Sequence, residues 1–399
     1  MNKRIVFNRM EAAGSLGDLG TLLPIAIAMV VLNGMSPMGV FFSIGVYYIL
    51  SGLYFGITVP VQPMKVIGAY AIATSMAPEQ ILASCLLMGG GLLIVGLTGA
   101  IDLIAKITPK PVIRGVQLST GVLLMSGGIR FMMGTSKFQA MQDAVEPHLA
   151  VQALGPVPIS LVIGGIGTVL TLLFLDNRRF PAGLMVVAGG LLAGVALGGR
   201  INLGIEDIGL HFPALFPAGF PDTVDFTFAL FALVLPQLPM TLGNAVLAYT
   251  DLSREYFKDA SKKVSNRKVC VSMALANFFS FCFGGMPMCH GAGGLAAHFR
   301  FGARTAGSNL MIGAVFAAMA ILLGSRIIDV LNLLPMSILG VLLVFAGAQL
   351  ALAVMDLNTR KEYFTATLIL GITLASNLAA GFIAGMAAAH LLRWDRLSV

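Results

Sequence analysis

Charge is what this sequence has least of. Only 11% of its 399 residues are Asp, Glu, Lys or Arg, against roughly 25% in a soluble protein. The charged residues of a soluble domain coat its surface, so this shortage excludes an ordinary soluble domain and a disordered chain. Cysteine is also scarce. The four present, Cys85, Cys270, Cys282 and Cys289, sit in or beside apolar runs without paired spacing, which excludes a disulfide scaffold or a metal ribbon. No GxxxxGK[ST] run occurs, so ATP is not hydrolysed by that route. HExxH, GxSxG and paired acids on one helix face are missing too, which leaves an enzyme in the membrane without support. No small-residue cleavage site follows the basic start MNKRIVFNRM, and Glu11 and Asp18 come close behind, so no signal peptide is expected.

Apolar residues make up 57% of the chain, and the mean hydropathy is +0.90. That composition fits an all-α polytopic membrane protein. The net charge of +7 does not point to nucleic acid, because the basic residues cluster in short loops between apolar runs. Apolar runs cut by Pro, Gly and charge give fourteen spans. They lie near 12–32, 39–58, 63–77, 80–104, 111–133, 158–175, 182–199, 225–250, 268–284, 287–299, 306–324, 334–354, 363–378 and 379–393. The third and tenth are short.

Loop charge sets the orientation. With Lys3, Arg4 and Arg9 cytoplasmic, the loops after even-numbered spans must also be cytoplasmic. They carry Lys106, Lys110 and Arg114, then Arg178 and Arg179, then six Lys or Arg between Arg254 and Lys268. Arg300 with Arg304, Arg360 with Lys361, and Arg393 with Arg396 follow. Residues 134–157 and 200–224 are poor in base. The first holds Asp143 and Glu146 against Lys137, and the second holds Glu206, Asp207 and Asp222 against Arg200. The alternation obeys the positive-inside rule and puts both termini in the cytoplasm; the expected location is the plasma (inner) membrane.

The two short spans occupy the same place in each half. Seven is odd, so the second half, residues 201–399, is inverted relative to residues 1–200. No soluble domain is left over. Pro63 opens one short span and Pro287 the other. Proline is tolerated at a helix start because its missing N–H would be unpaired anyway. Half-helices starting inside a membrane leave free N–H groups that lipid cannot satisfy. Two such starts meeting near the midplane make a cup of donors that suits an anion.

The segments PVQPMKVIGAYA (60–71) and FGGMPMCHGAGGLAAHFRFGARTAG (283–307) resemble the two signature motifs of the molybdate transporter family, related to the sulfate-permease-like transporters. GSLGDLGTLLP (14–24) and PQLPMTLGNAV (236–246) are similar to further segments of it. The resemblance implies uptake of molybdate, a tetrahedral oxyanion, by a seven-plus-seven inverted repeat with core and gate domains. The larger sulfate permeases carry a STAS domain after the last span, and the expectation here is a chain without one. Sulfate or another small anion, and passive conduction rather than secondary active transport, remain alternatives on the same scaffold. Coupled protons and a homodimer are compatible with the pattern without being required by it. No cofactor or metal is implied.

Particular residues carry the expectation. Lys65 lies just inside the third span, where charge is costly and by default functional. It either meets substrate or the gate, or forms a structural pair. Asp18, among glycines of the first span, is either a buried ion-pair partner or helix cap, or, since it would repel an anion, a group that couples or orients Lys65. Gln62 and Gln237 either offer amide donors to the anion without a charge to desolvate or bond helix to helix. Thr21, Thr241 and Asn244 are either ligands or packing residues. His290 is either a donor or coupling group or a satisfied core histidine. Cys289 is expected to pack. Gly291, with Gly293 and Gly294, allows close helix approach and exposed N–H groups. Donors are expected near Met64–Lys65 and Cys289–Gly291.

Overall fold

The computed structural model describes residues 5–101, 109–175, 182–199, 204 and 207–394. Lys3, Arg4, Lys106, Arg178, Arg179, Arg200, Glu206 and Arg396, which enter the charge argument above, lie outside the described residues. The chain is about three-quarters helical.

The apolar runs fold as helices close to where the pattern puts them. In chain order these are α1 (Arg9–Ser15), α2 (Leu19–Asn33), α3 (Pro37–Phe55), α4 (Lys65–Thr74), α5 (Pro78–Thr98), α6 (Lys110–Met132), α7 (Ile159–Phe174) and α8 (Ala182–Ala196). Then come α9 (Thr223–Ser261), α10 (Asn266–Phe283), α11 (Ala292–Phe301), α12 (Ala306–Leu323), α13 (Met336–Ala351), α14 (Arg360–Ala375) and α15 (Leu378–Leu391). Among the described residues four two-residue strands accompany them: β1 (Gln62–Pro63), β2 (Ala153–Leu154), β3 (Val157–Pro158) and β4 (Met288–Cys289). β1 pairs with β4, and β2 with β3, both antiparallel. Among the described residues, six helices are long and apolar enough to cross a membrane. They become seven if α1 and α2, bent by 45°, count as one. α4, α7, α8 and α15 are shorter apolar helices.

Three departures from the sequence pattern have local causes. The first span is two helices, not one. Gly14 and Gly17 sit at the bend, and a Cβ at either would run into the backbone of Ala303 or Ala297. Glycine also weakens a helix interior by about 1 kcal/mol each. The eighth span is longer than expected and continues through part of the basic loop as far as Ser261. Within it, Ala229–Val234 and Thr241–Ala248 widen to π-helix around LPQLPM. Pro236 and Pro239 lack N–H groups and crowd the preceding turn, and wider turns relieve that conflict. The third departure, at the short spans, concerns the site itself.

Helices cross closely where glycine allows it. α6 lies on α13, α3 on α12 and α5 on α10. Gly121 meets the backbone of Gly347, and Gly128 meets that of Gly340. Small residues let backbones approach within a membrane, where water exclusion does not drive association.

Candidate functional site

The residue before a proline avoids the helical region, so Gln62 and Met286 are held out of helix. β1 and β4 form the resulting ladder, with Gln62 opposite Cys289. Pro287 accepts the N–H of Met64 at 2.9 Å. The helices therefore do not start at the prolines, as the sequence suggested. α4 starts at Lys65 and α11 at Ala292, with Met64 and Gly291 as caps. Because the ladder is antiparallel, the two half-helices leave it in opposite directions, starts toward each other.

The broken backbone is satisfied by buried side chains from flanking helices. Asn309 of α12 accepts from Val59 N at 2.8 Å and donates to Val59 O at 2.8 Å. Asn277 of α10 accepts from Met288 N at 3.1 Å and donates to Met288 O at 2.8 Å. Tyr48 of α3 donates to Val61 O at 3.3 Å, and the Cys85 thiol of α5 reaches Gly285 O at 3.9 Å. The motif-based reading missed Asn277 and Asn309. Their signal is present all the same: an asparagine within an apolar helix is costly unless fully bonded.

The two starts differ in their free donors. At α4, Gln237 Oε1 accepts from Val66 N at 2.9 Å and Ile67 N at 3.2 Å. Gln237 Nε2 donates to Thr241 Oγ1 at 2.8 Å. Gln237, expected as a substrate donor or as a bond between helices, thus caps the half-helix, aimed there by a proline-flanked turn of α9. At α11, the first bond within the helix runs from Leu295 N to Gly291 O at 3.0 Å. Among the described residues, the N–H groups of Ala292, Gly293 and Gly294 have no partner. Gly293 is exposed, and a Cβ there would meet nothing within 4 Å.

Lys65, the first residue of α4, is half-buried. Its ammonium takes part in none of the ion pairs or hydrogen bonds among the described residues, although it acts electrostatically on Asp18 and Cys289. Asp18 is not its direct partner. Both carboxylate oxygens of Asp18 accept from Gln62 Nε2, at 2.8 Å each. Thr21, half-buried in the first turn of α2, has its hydroxyl near the same carboxylate. Gln62 Oε1 is buried without a donor. It lies against Gly291, where a Cβ would overlap it, and a Cβ at Gly294 would overlap Asp18. Asn244 is half-buried, and its amide has no partner among the described residues.

His290 is turned away from these donors. Its Nδ1 donates to Pro60 O at 2.9 Å, and its Nε2 faces the hydroxyls of Tyr47 at 2.8 Å and Ser272 at 3.1 Å. The ring stacks with both Tyr47 and Tyr249, with centroids 5.0 and 5.3 Å away. Both ring nitrogens are thus engaged, and Nδ1 holds the backbone that leads into β1. Cys289 is buried, its thiol 3.8 Å from Pro63 O. Two surface clefts, of about 450 and 350 Å³, lie away from this junction.

The chain matches the family described as "Molybdate transporter of MFS superfamily" over residues 10–124 and 229–350. It is 28% identical to Molybdate transporter 1 of Arabidopsis thaliana, covering 94% of this chain and 86% of that one. Identity to Molybdate transporter 2 of the same plant is 31%, covering 96% and 87%. Identity to Molybdate transporter 1 of Chlamydomonas reinhardtii is also 31%, covering 97% and 94%. Among solved structures, the transmembrane domain of the cyanobacterial bicarbonate transporter BicA superposes with a TM-score of 0.66 at 15% identity, covering 97% and 100%. The murine Solute Carrier 26 family member A9 anion transporter, inward-facing, gives 0.66 at 16%, covering 97% and 68%. At such identities these two structures speak for the fold alone.

Proposed function

The chain belongs to the molybdate transporter family, and from that premise we propose that it is a secondary active importer of molybdate. The observation that carries the site is the donor set between the two half-helices. Lys65 brings a half-buried ammonium at the start of α4, and the start of α11 brings the N–H groups of Ala292, Gly293 and Gly294, none of them with a close partner among the described residues. Helix starts and a cation together suit a tetrahedral dianion. Gln62, Asn244 and Thr21 lie on the elements around this junction and complete the shell. Gln237, Cys289 and His290 shape it from behind.

The architecture we propose is fourteen spans in a seven-plus-seven inverted repeat, with α1 and α2 together forming the first span. Adding seven to a helix label then gives its counterpart, α2 to α9 through α8 to α15. Packing supports this. The pair α3–α12 has its counterpart in α10–α5, α7–α8 in α14–α15, and α6–α14 in α13–α7. Residues 1–200 and 201–399 are the two repeats. Both termini face the cytoplasm, and loop 200–224 lies outside.

The test is uptake in a host that lacks its own molybdate import, with sulfate and tungstate as competitors. Molybdate accumulation blocked by tungstate and little affected by excess sulfate is the expected result. Uptake that sulfate competes away at equal concentration would make the substrate sulfate.

A further inference from the structure

Gln62 carries a buried acceptor with nothing to accept. The cause is Asp18. An ionised carboxylate can only accept, so it draws the Gln62 NH₂ group toward itself, at 2.8 Å from each oxygen. The amide oxygen is then forced to the other side, against Gly291 at the start of α11, where it finds no donor. A buried polar atom left unpaired is costly. This one also presents a lone pair at the edge of the junction where an oxyanion would need a donor.

We propose that protonation of Asp18 inverts the Gln62 amide, so that each imported oxyanion carries a proton with it. The inference rests on the site proposed above. One proton from the aqueous side adds to a carboxylate oxygen of Asp18, which becomes a donor. That O–H donates to Gln62 Oε1 once the amide has turned half a revolution about its terminal bond. Nε2 then faces Gly291, the orphaned oxygen gains its donor, and the junction offers N–H groups in place of a lone pair. A proton and an anion bound in this way strengthen each other by the same factor. Asp18 does this without touching the anion, which its charge would repel.

The groups facing Asp18 leave this route open. From α4, Lys65 acts on it without pairing. From α2 comes the Thr21 hydroxyl, from α3 the Tyr48 phenol, and from β4 the Cys289 thiol. From α11, Gly294 lies against it. None of these is a second carboxylate.

The experiment measures molybdate binding to the purified full-length chain in detergent across pH, with proton uptake followed in weak buffer. The wild type is expected to take up about one proton per molybdate, and to lose about tenfold in affinity per pH unit above the Asp18 titration. Asp18→Asn should flatten the profile and abolish uptake. Gln62→Met is the sharper variant. It keeps the carboxylate but removes the amide, and should bind weakly at every pH with no slope. A Gln62→Met protein that keeps the wild-type slope would overturn the amide as the link, leaving plain charge repulsion by Asp18. An Asp18→Asn protein that keeps the slope would place the proton elsewhere. Absence of proton uptake by the wild type would overturn the inference without any variant. If instead Lys65→Ala and Gln62→Met both bind molybdate as the wild type does, the site itself is wrong.

Discussion

Gln237 Oε1 accepts the backbone N–H of Val66 at 2.9 Å, a bond between residues far apart in the chain that fixes where α4 begins. Capping and ligation predict opposite orders for two variants. Gln237→Glu keeps an oxygen for Val66 and Ile67, whereas Gln237→Ala leaves two buried N–H groups unpaired, at about 1–3 kcal/mol each. The Glu variant is expected to retain more molybdate uptake than the Ala variant at matched membrane expression. Were Gln237 a ligand, a carboxylate beside the dianion would be the worse replacement.

His290 is expected to matter for stability and little for affinity. Its ring makes bonds to Pro60, Tyr47 and Ser272 and stacks with two tyrosines. His290→Ala should lower the melting temperature of the detergent-purified protein, by an amount corresponding to about 3–5 kcal/mol, as for other large-to-small core changes. Protein that survives should keep its KM for molybdate within a few-fold. A wild-type melting temperature with a KM raised a hundredfold would return His290 to the binding shell.

The helices were largely legible from the sequence, because apolar runs of this length have few alternatives in a bilayer. α10 spans Asn266–Phe283 where the apolar run gives 268–284, and α15 spans Leu378–Leu391 where it gives 379–393. The short third and tenth segments were legible too, but their starts were not. Pro63 and Pro287 looked like helix starts, yet Pro287 O accepts from Met64 N in a ladder between the halves. No periodicity within either half reveals a bond made between them. The partners of Gln237 and His290 were hidden for the same reason. An amide or imidazole on a broken span can serve the ligand or the backbone. Which one it serves depends on partners such as Val66 and Pro60, more than a hundred residues away in sequence.

Neighbouring glycines should part company. A Cβ at Gly294 would collide with Asp18 and with Gln62 Nε2, at 2.7 Å from the latter, while one at Gly293 meets nothing within 4 Å. Gly294→Ala is expected to express poorly or fail to bind. Gly293→Ala should fold normally, which fluorescence-detected size exclusion would report as a single peak of wild-type height. Equal yields and equal binding for both would mean that Asp18 and Gln62 do not hold the positions described.

Glu146 ties the loop after α6 to the start of α13. Its carboxylate accepts from Met336 N at 2.7 Å and Ser337 N at 3.0 Å. Burial pushes this carboxyl above its ordinary value of 4.5, while the two backbone bonds pull it back. The folded protein thus holds a proton at a pH where the unfolded chain has released it. Stability from this group is therefore greatest at low pH and declines as pH rises from 4.5 through the folded value. The melting temperature should show that decline, and Glu146→Gln should flatten it. A Glu146→Gln protein with the wild-type slope would assign the decline to another group.

Lys65 offers the most direct separation of a structural charge from a functional one. A structural lysine has a partner, and removing it costs stability. Lys65 has neither an ion pair nor a hydrogen bond among the described residues, and a cation held in a membrane interior is itself costly. Lys65→Met is therefore expected to leave the substrate-free melting temperature unchanged or higher. Its loss should appear only with the anion present. A hydrogen bond to a charged group is worth about 1.5–3 kcal/mol, so molybdate affinity should fall by roughly one to two decades. Ligand at a hundred times its Kd stabilises a protein by about 2.7 kcal/mol. The molybdate-dependent rise in melting temperature seen for the wild type should therefore shrink or vanish in the variant at the same molybdate concentration. Lys268→Ala, at an exposed residue of α10, controls for net charge and should retain the full rise. If Lys65→Met is destabilised without molybdate yet gains the full rise with it, the ammonium belongs to the scaffold and the dianion binds without it.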